Sequence, residues 1–158
     1  MEGRADSATL FLVCGLPGAG KTTHACGLET ERGAIRLCPD EWMQALGIDL
    51  YDEAARARIE ALQWRLAQQL LVHGVSAIIE WGTWGRSERD ALREGARALG
   101  ARVELHYLSA PAEVLFERIQ RRWMENPAIE RADLEKWVAR FEEPTEEEMA
   151  LFDTYLAA

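Results

Sequence analysis

Gly15, Gly20, Lys21 and Thr22 stand at the spacing G-x-x-x-x-G-K-[ST], within the stretch GLPGAGKTT. That spacing has a defined chemical use. Glycines let successive backbone N–H groups turn inward around phosphate oxygens, the lysine reaches the β and γ phosphates, and the threonine hydroxyl ligates Mg²⁺. Pro17, Gly18 and Ala19 complete the same cradle, and Thr23 adds a second hydroxyl for the loop or the α-phosphate. Lysine is scarce elsewhere: Lys21 and Lys136 are the only two among 18 basic residues. The chemistry indicated is the binding of a nucleoside triphosphate, ATP or GTP, with Mg²⁺.

Moving a phosphoryl group requires more than holding it. The γ-phosphate must be fixed, its charge neutralised, and an acceptor hydroxyl brought in line beside a group that takes its proton. Asp40, in CPDEW, follows a strand-like run, at the sheet edge where ligands bind in alternating folds. Pro39-Asp40 equally suits a helix start, and Glu41 is the alternative carboxylate. Glu80 closes the run VSAIIE, a position that suits contact with Mg²⁺ or its waters, contact with the acceptor, or simple exposure to solvent. Arg118, Arg121 and Arg122 share one helical segment. The 118 to 122 spacing puts the outer two on one face, which can cancel charge on a transferred phosphoryl group or, beside Glu113, Glu117 and Glu125, simply face water. Arg86 and Arg89 offer further anchors just beyond two tryptophans.

Four runs must position these groups. Thr9 to Cys14, Ala34 to Cys38, Val75 to Glu80 and Arg102 to Leu108 read as strands, and helical spacing falls between them at Tyr51 to Leu71 and Ser87 to Leu99. Asp52 and Glu53 suit the N-terminus of the first of these helices, and Gly100 ends the second. Alternation of apolar strands with helices predicts an α/β domain with a parallel sheet covered on both faces. After Ser109 the chain becomes helical in three pieces, broken at Asn126-Pro127 and Pro144, and DTYLA is a candidate fifth strand. The whole of 1–158 is expected to be one domain, with a helical lid and C-terminal region from about 111 to 158.

Composition narrows the classes. At 158 residues and 48% hydrophobic content the chain can bury one core. No run reaches the length of a membrane span, and Met1 to Thr9 lacks the pattern of a signal peptide, so the expected location is cytoplasmic. Cys14, Cys26 and Cys38 fit no metal spacing and read as small buried apolar residues. His24, His73 and His106 read as packed or exposed rather than catalytic. A net charge of -9 repels phosphate backbones and argues against a nucleic-acid partner.

Taken together, GLPGAGKTT, LCPDEW, a strand ending IIEWGTW and the arginine-rich ERIQRR resemble small bacterial P-loop kinase-like proteins related to chloramphenicol phosphotransferase, zeta toxins and the kinase domain of polynucleotide kinases. The resemblance spans nearly the whole chain. It implies a three-layer αβα P-loop NTPase fold of the nucleotide kinase type. The sheet would have four or five parallel strands in the order 2-3-1-4(-5), under a helical arginine-bearing lid. It also implies that Asp40 accepts the proton of the acceptor, that Lys21, Arg118 and Arg122 serve the transferred phosphate, and that Arg118 stacks on adenine. Glu80 stands where such proteins usually carry Asp. Asp40, Trp42, Trp81, Trp84 and Arg86 are the expected acceptor contacts. An acidic and aromatic pocket suits a small polyol, sugar or aminated compound. The expected activity is transfer of the γ-phosphate to a hydroxyl of a small molecule. The alternatives are a nucleic-acid 5′-hydroxyl kinase and a regulatory protein that binds nucleotide and hydrolyses it slowly.

Overall fold

The computed structural model describes residues 7–122 and 129–158. The Asn126-Pro127 break, Glu125 and most of the Met1 to Thr9 start lie outside them. Five strands form one parallel sheet in the order β2-β3-β1-β4-β5. They are β1 (Thr9–Cys14), β2 (Ile35–Leu37), β3 (Ala77–Gly82), β4 (Arg102–Tyr107) and β5 (Thr154–Ala157). The chain ends in that fifth strand, so the C-terminal region from 111 is helical only as far as α7 (Glu146–Met149). DTYLA forms β5 by pairing Tyr155 with Leu105 and Leu156 with His106.

Alternation along the central strand builds two cores. Leu10, Leu12 and Cys14 point to one face, where α3 (Glu53–Val72) contributes Ala67 and Leu71 and α4 (Arg86–Ala98) contributes Leu92 and Ala96. Phe11 and Val13 point to the other, against Ala25 and Leu28 of α1 (Lys21–Arg32), Leu115 and Ile119 of α5 (Ala112–Arg122) and Leu134 of α6 (Arg131–Arg140). A parallel sheet needs both faces covered, and these helices supply the cover. A third, smaller cluster of Met43, Ala55 and Ile59 seats α2 (Pro39–Ala45) against α3. At the N-terminus of α3, Asp52 is the cap and accepts from the Ala55 amide at 2.9 Å.

Register explains the odd exit of β3. Leu12 of β1 faces Ile79, but Cys14 faces Gly82, so β3 carries one extra residue around Glu80 and Trp81. A bulge of this kind re-aims side chains at the end of a strand. The strand accordingly runs two residues past Glu80 before turning at Thr83, the one non-glycine residue with positive φ (45°) among those described.

The turn is held by Arg89, which has 0% exposure. Its Nε and Nη2 donate to Glu148 at 2.6 and 3.0 Å, Nη1 donates to the Thr83 carbonyl at 2.7 Å, and Nη2 also donates to the Glu142 carbonyl at 2.7 Å. Removing one partner of a buried pair leaves an uncompensated charge. Arg89→Met should therefore lower the free energy of unfolding in guanidinium titration by about 3–5 kcal/mol, whereas exposed Arg58→Ala should change it by less than about 0.5 kcal/mol. Equal effects of the two would contradict this account of the clamp.

Candidate active site

The phosphate loop lies between β1 and α1, at the carboxyl edge of the sheet. Gly20 caps α1 in the left-handed region at φ 95°, so the first helical N–H groups face the loop. Gly18 sits at φ 84° and packs so closely under α5 that an added Cβ would lie 2.8 Å from the Leu115 carbonyl oxygen. Lys21 Nζ donates to the carbonyls of Gly15 and Leu16, both at 2.9 Å. Arg118 donates to the Gly18 carbonyl at 3.1 Å. The Thr22 hydroxyl donates to Glu80 Oε1 at 2.5 Å. A hydroxyl and a carboxylate in contact are the hard oxygen donors that Mg²⁺ takes, and inward N–H groups with Lys21 are what phosphates take, so the residues present fit both.

One cleft of about 520 Å³ adjoins this loop. Its lining includes Pro17, Gly18, Lys21, Thr22, Asp40 and Glu80. Trp81, Trp84 and Arg122 also border it. Nine of the residues singled out from the sequence therefore meet at one place. Asp40 is held by Arg56, whose Nη2 donates to Oδ1 at 2.6 Å while also donating to the Leu50 carbonyl at 3.1 Å. Glu80 is held on its other oxygen by Arg36 at 2.8 Å, and Arg36 also bonds Glu41.

Several expected residues lie elsewhere. Trp42 packs on the core and on the small α2–α3 cluster and does not line the cleft. Two residues after Asp40 on a helix, it points to the opposite side. Arg86 is also absent from the lining, because it turns along α4 to Asp90, one helical turn on, at 3.0 Å. Thr23 is exposed, and Ala19 is buried and lines a separate cavity of about 210 Å³. Cys26 is exposed rather than buried, unlike Cys14 and Cys38. His24 and His106 are not solitary: their ring nitrogens lie 2.7 Å apart, and His106 meets Glu104 at 3.2 Å.

Arg36, Arg56, Glu60, Thr83, Glu88, Trp137 and Arg140 are site or supporting residues that the sequence reading passed over. Three had visible signals. A charged residue inside the apolar run AIRLC marks Arg36, and Glu53, Arg56, Ala57 and Glu60 share the i, i+3, i+4, i+7 face of α3 that borders the cleft.

The fold and loop define a P-loop nucleotide-binding domain of the kinase-like type. A family model described as an AAA domain matches residues 10–144, and the chain belongs to that family. No protein with a curated description matches it. Among solved structures it is similar to a gluconokinase from Sinorhizobium meliloti 1021, at 21% identity and a TM-score of 0.64, covering 98% of this chain and 83% of that one. A sugar kinase from Janibacter sp. HTCC2649 gives 26% identity and a TM-score of 0.65 over 96% and 84% of the two chains. A chain of the Pnkp1/Rnl/Hen1 RNA repair complex gives 21% and 0.73, with 92% of this chain covering 46% of that one. Among the described residues no helix is long and apolar enough to cross a membrane.

Burial lowers the Lys21 ammonium to about 8, against the opposing pull of Glu80. The unfolded chain then binds more protons than the folded one between pH 8 and the ordinary 10.5. This group's cost to folding is thus full below pH 8 and is relieved as pH rises to 10.5. With only two lysines, Nζ-detected NMR should resolve Lys21 titrating near 8 and moving upward on addition of ADP; a midpoint at the ordinary value would contradict this environment.

Proposed function

We propose that the protein is an ATP-dependent phosphotransferase that moves the γ-phosphate to a hydroxyl group of a small molecule. One observation carries the reading: Asp40 and the phosphate loop open onto the same cleft, with a carboxylate-lined aromatic chamber beyond them. The sugar kinases among the similar structures support it.

In this reading Asp40, oriented by Arg56, takes the proton of the acceptor hydroxyl as its oxygen attacks the γ-phosphorus. The bond from that phosphorus to the β–γ bridging oxygen breaks as the new ester forms. Lys21 and Arg122 lie on the cleft wall where negative charge builds on the equatorial and leaving oxygens, and fixed cations there act without reorganising. Arg118, through its bond to Gly18, braces the loop and is available to cover the base. Thr22 and Glu80 would hold Mg²⁺, which would supply charge neutralisation on the phosphates. Arg36 fixes the Glu80 carboxylate so that Oε1 stays beside Thr22. The protein is expected to work in the cytoplasm as a single domain over 1–158.

Screening ATP consumption against hydroxyl-bearing metabolites should find compounds that stimulate turnover. Asp40→Asn should then lower kcat about 10²–10⁴-fold while leaving nucleotide affinity in place, and Lys21→Ala should remove both. Loss of nucleotide binding in Asp40→Asn would remove the base assignment. The likeness to an RNA repair chain supports a second reading, transfer to a 5′-hydroxyl oligonucleotide, and labelled phosphate appearing on such an oligonucleotide in place of small molecules would favour it.

A further inference from the structure

The cleft holds more carboxylates than its own cations satisfy. Asp40 is paired with Arg56, and Glu80 with Arg36 and Thr22. Glu53 is exposed in the first turn of α3. Glu60, from α3, and Glu88, from α4, line the cleft from facing helices, and neither forms an ion pair among the described residues. The arginines beside them in sequence are committed elsewhere, and Arg122 borders the same cleft from the end of α5. Arg56, one turn before Glu60, bonds Asp40 and the Leu50 carbonyl, and Arg89, beside Glu88, bonds Glu148 and two carbonyls. Arg140 reaches the lining from the exposed side of α6.

Burial drives the Glu60 carboxyl up to about 7, with repulsion from Glu88 adding to it, Arg56 drawing it back and Asp40 adding again. Burial raises Glu88 as well. A second and separate feature lies on the same wall. Thr83 is 1% exposed, lines the cleft, and its hydroxyl has no hydrogen-bond partner among the described residues. A buried polar group without a partner costs free energy, and a ligand group relieves that cost. Trp81 and Trp84 flank the chamber, and aromatic faces attract a desolvated cation.

We propose that the acceptor is an amine-bearing hydroxyl compound, such as an amino sugar, aminocyclitol or amino alcohol, whose ammonium group binds Glu60 and Glu88 beside Trp81 and Trp84. This inference rests on the phosphotransferase reading and names the class of its acceptor. Thr83 supplies a neutral hydrogen bond to the same ligand. Asp40 faces the hydroxyl to be phosphorylated, nearer the phosphate loop. Neutral sugars lack the charge that the two carboxylates call for, and an anionic acceptor is repelled by them.

The test uses the full chain with ATP and three charge classes of hydroxyl compound. Glucosamine, kanamycin and ethanolamine are the amines, glucose, inositol and N-acetylglucosamine the neutral compounds, and gluconate and glycerate the anions. At least one amine should be phosphorylated with kcat/KM tenfold or more above its best neutral counterpart. Glu60→Gln should raise KM for that amine at least tenfold more than for a neutral compound. The same variant should abolish the rise in amine kcat/KM as pH passes upward through 7, and an unchanged Kd for ADP reports that the variant is folded. Glu88→Gln should act in the same direction. Phosphorylation confined to neutral or anionic compounds, or an amine preference that survives both substitutions, overturns the amine inference and leaves the phosphotransferase reading standing. Failure of every compound in all three classes to draw phosphate from ATP overturns that reading and the inference with it.

Discussion

A guanidinium with no access to solvent must find every hydrogen bond inside the protein, and Arg89 finds its oxygen acceptors on three separate segments. One is the turn after β3, through the Thr83 carbonyl; one is the strand of chain after α6, through the Glu142 carbonyl; one is α7, through Glu148. Desolvating both charges costs several kcal/mol each, and only this complete set of partners offsets it. The consequence reaches further than stability. The same contacts hold Thr83 in the left-handed region, set Trp84 at the cleft, and direct the last residues back across the sheet to become β5. Gly82 fits the same turn, because a Cβ there would lie 2.9 Å from Trp84 Nε1.

With that turn fixed, the carboxyl edge of the sheet divides its charges. The loop between β1 and α1 brings Lys21 and Thr22 to the cleft, with Arg118 bracing the loop through the Gly18 carbonyl. The face of α3 and the start of α4 bring carboxylates to the same cleft. Between them, Arg36 holds Glu80 and Arg56 holds Asp40, each by a single carboxylate oxygen. Such arrangements favour reactions in which charge moves between fixed, already oriented groups rather than groups that must reorganise. The bulge in β3 supplies the join, since it brings Glu80 to Thr22 while Trp81 bonds Gln63 on the opposite helix at 2.8 Å.

Local pattern was enough to read the phosphate loop and the alternation of elements, because each depends on short-range signals, glycine spacing, apolar runs and helical period, whereas the strand order came only from the resemblance to P-loop kinase-like proteins. It was enough to bring Lys21, Thr22, Asp40, Glu80, Trp81 and Trp84 to one edge, since that edge follows from topology. It failed where long-range pairing decides. The extra residue in β3 shows only against β1, and the burial of Arg89 shows only once Glu148, 59 positions away, has folded back. Trp42 looked like a pocket wall because it stands beside Asp40 in sequence, yet helical rotation sends it into the core. Glu60 was legible in principle, on the same α3 face as Arg56, but that face gains meaning only when α4 supplies Glu88 across the cleft.

The central claim is transfer rather than hydrolysis, and phosphorus NMR of a reaction with ATP and the hydroxyl panel separates the two directly. Transfer yields a phosphomonoester resonance that grows as fast as the γ-phosphate signal declines, at a rate set by acceptor concentration. Inorganic phosphate accumulating alone, at a rate indifferent to every acceptor, would contradict it.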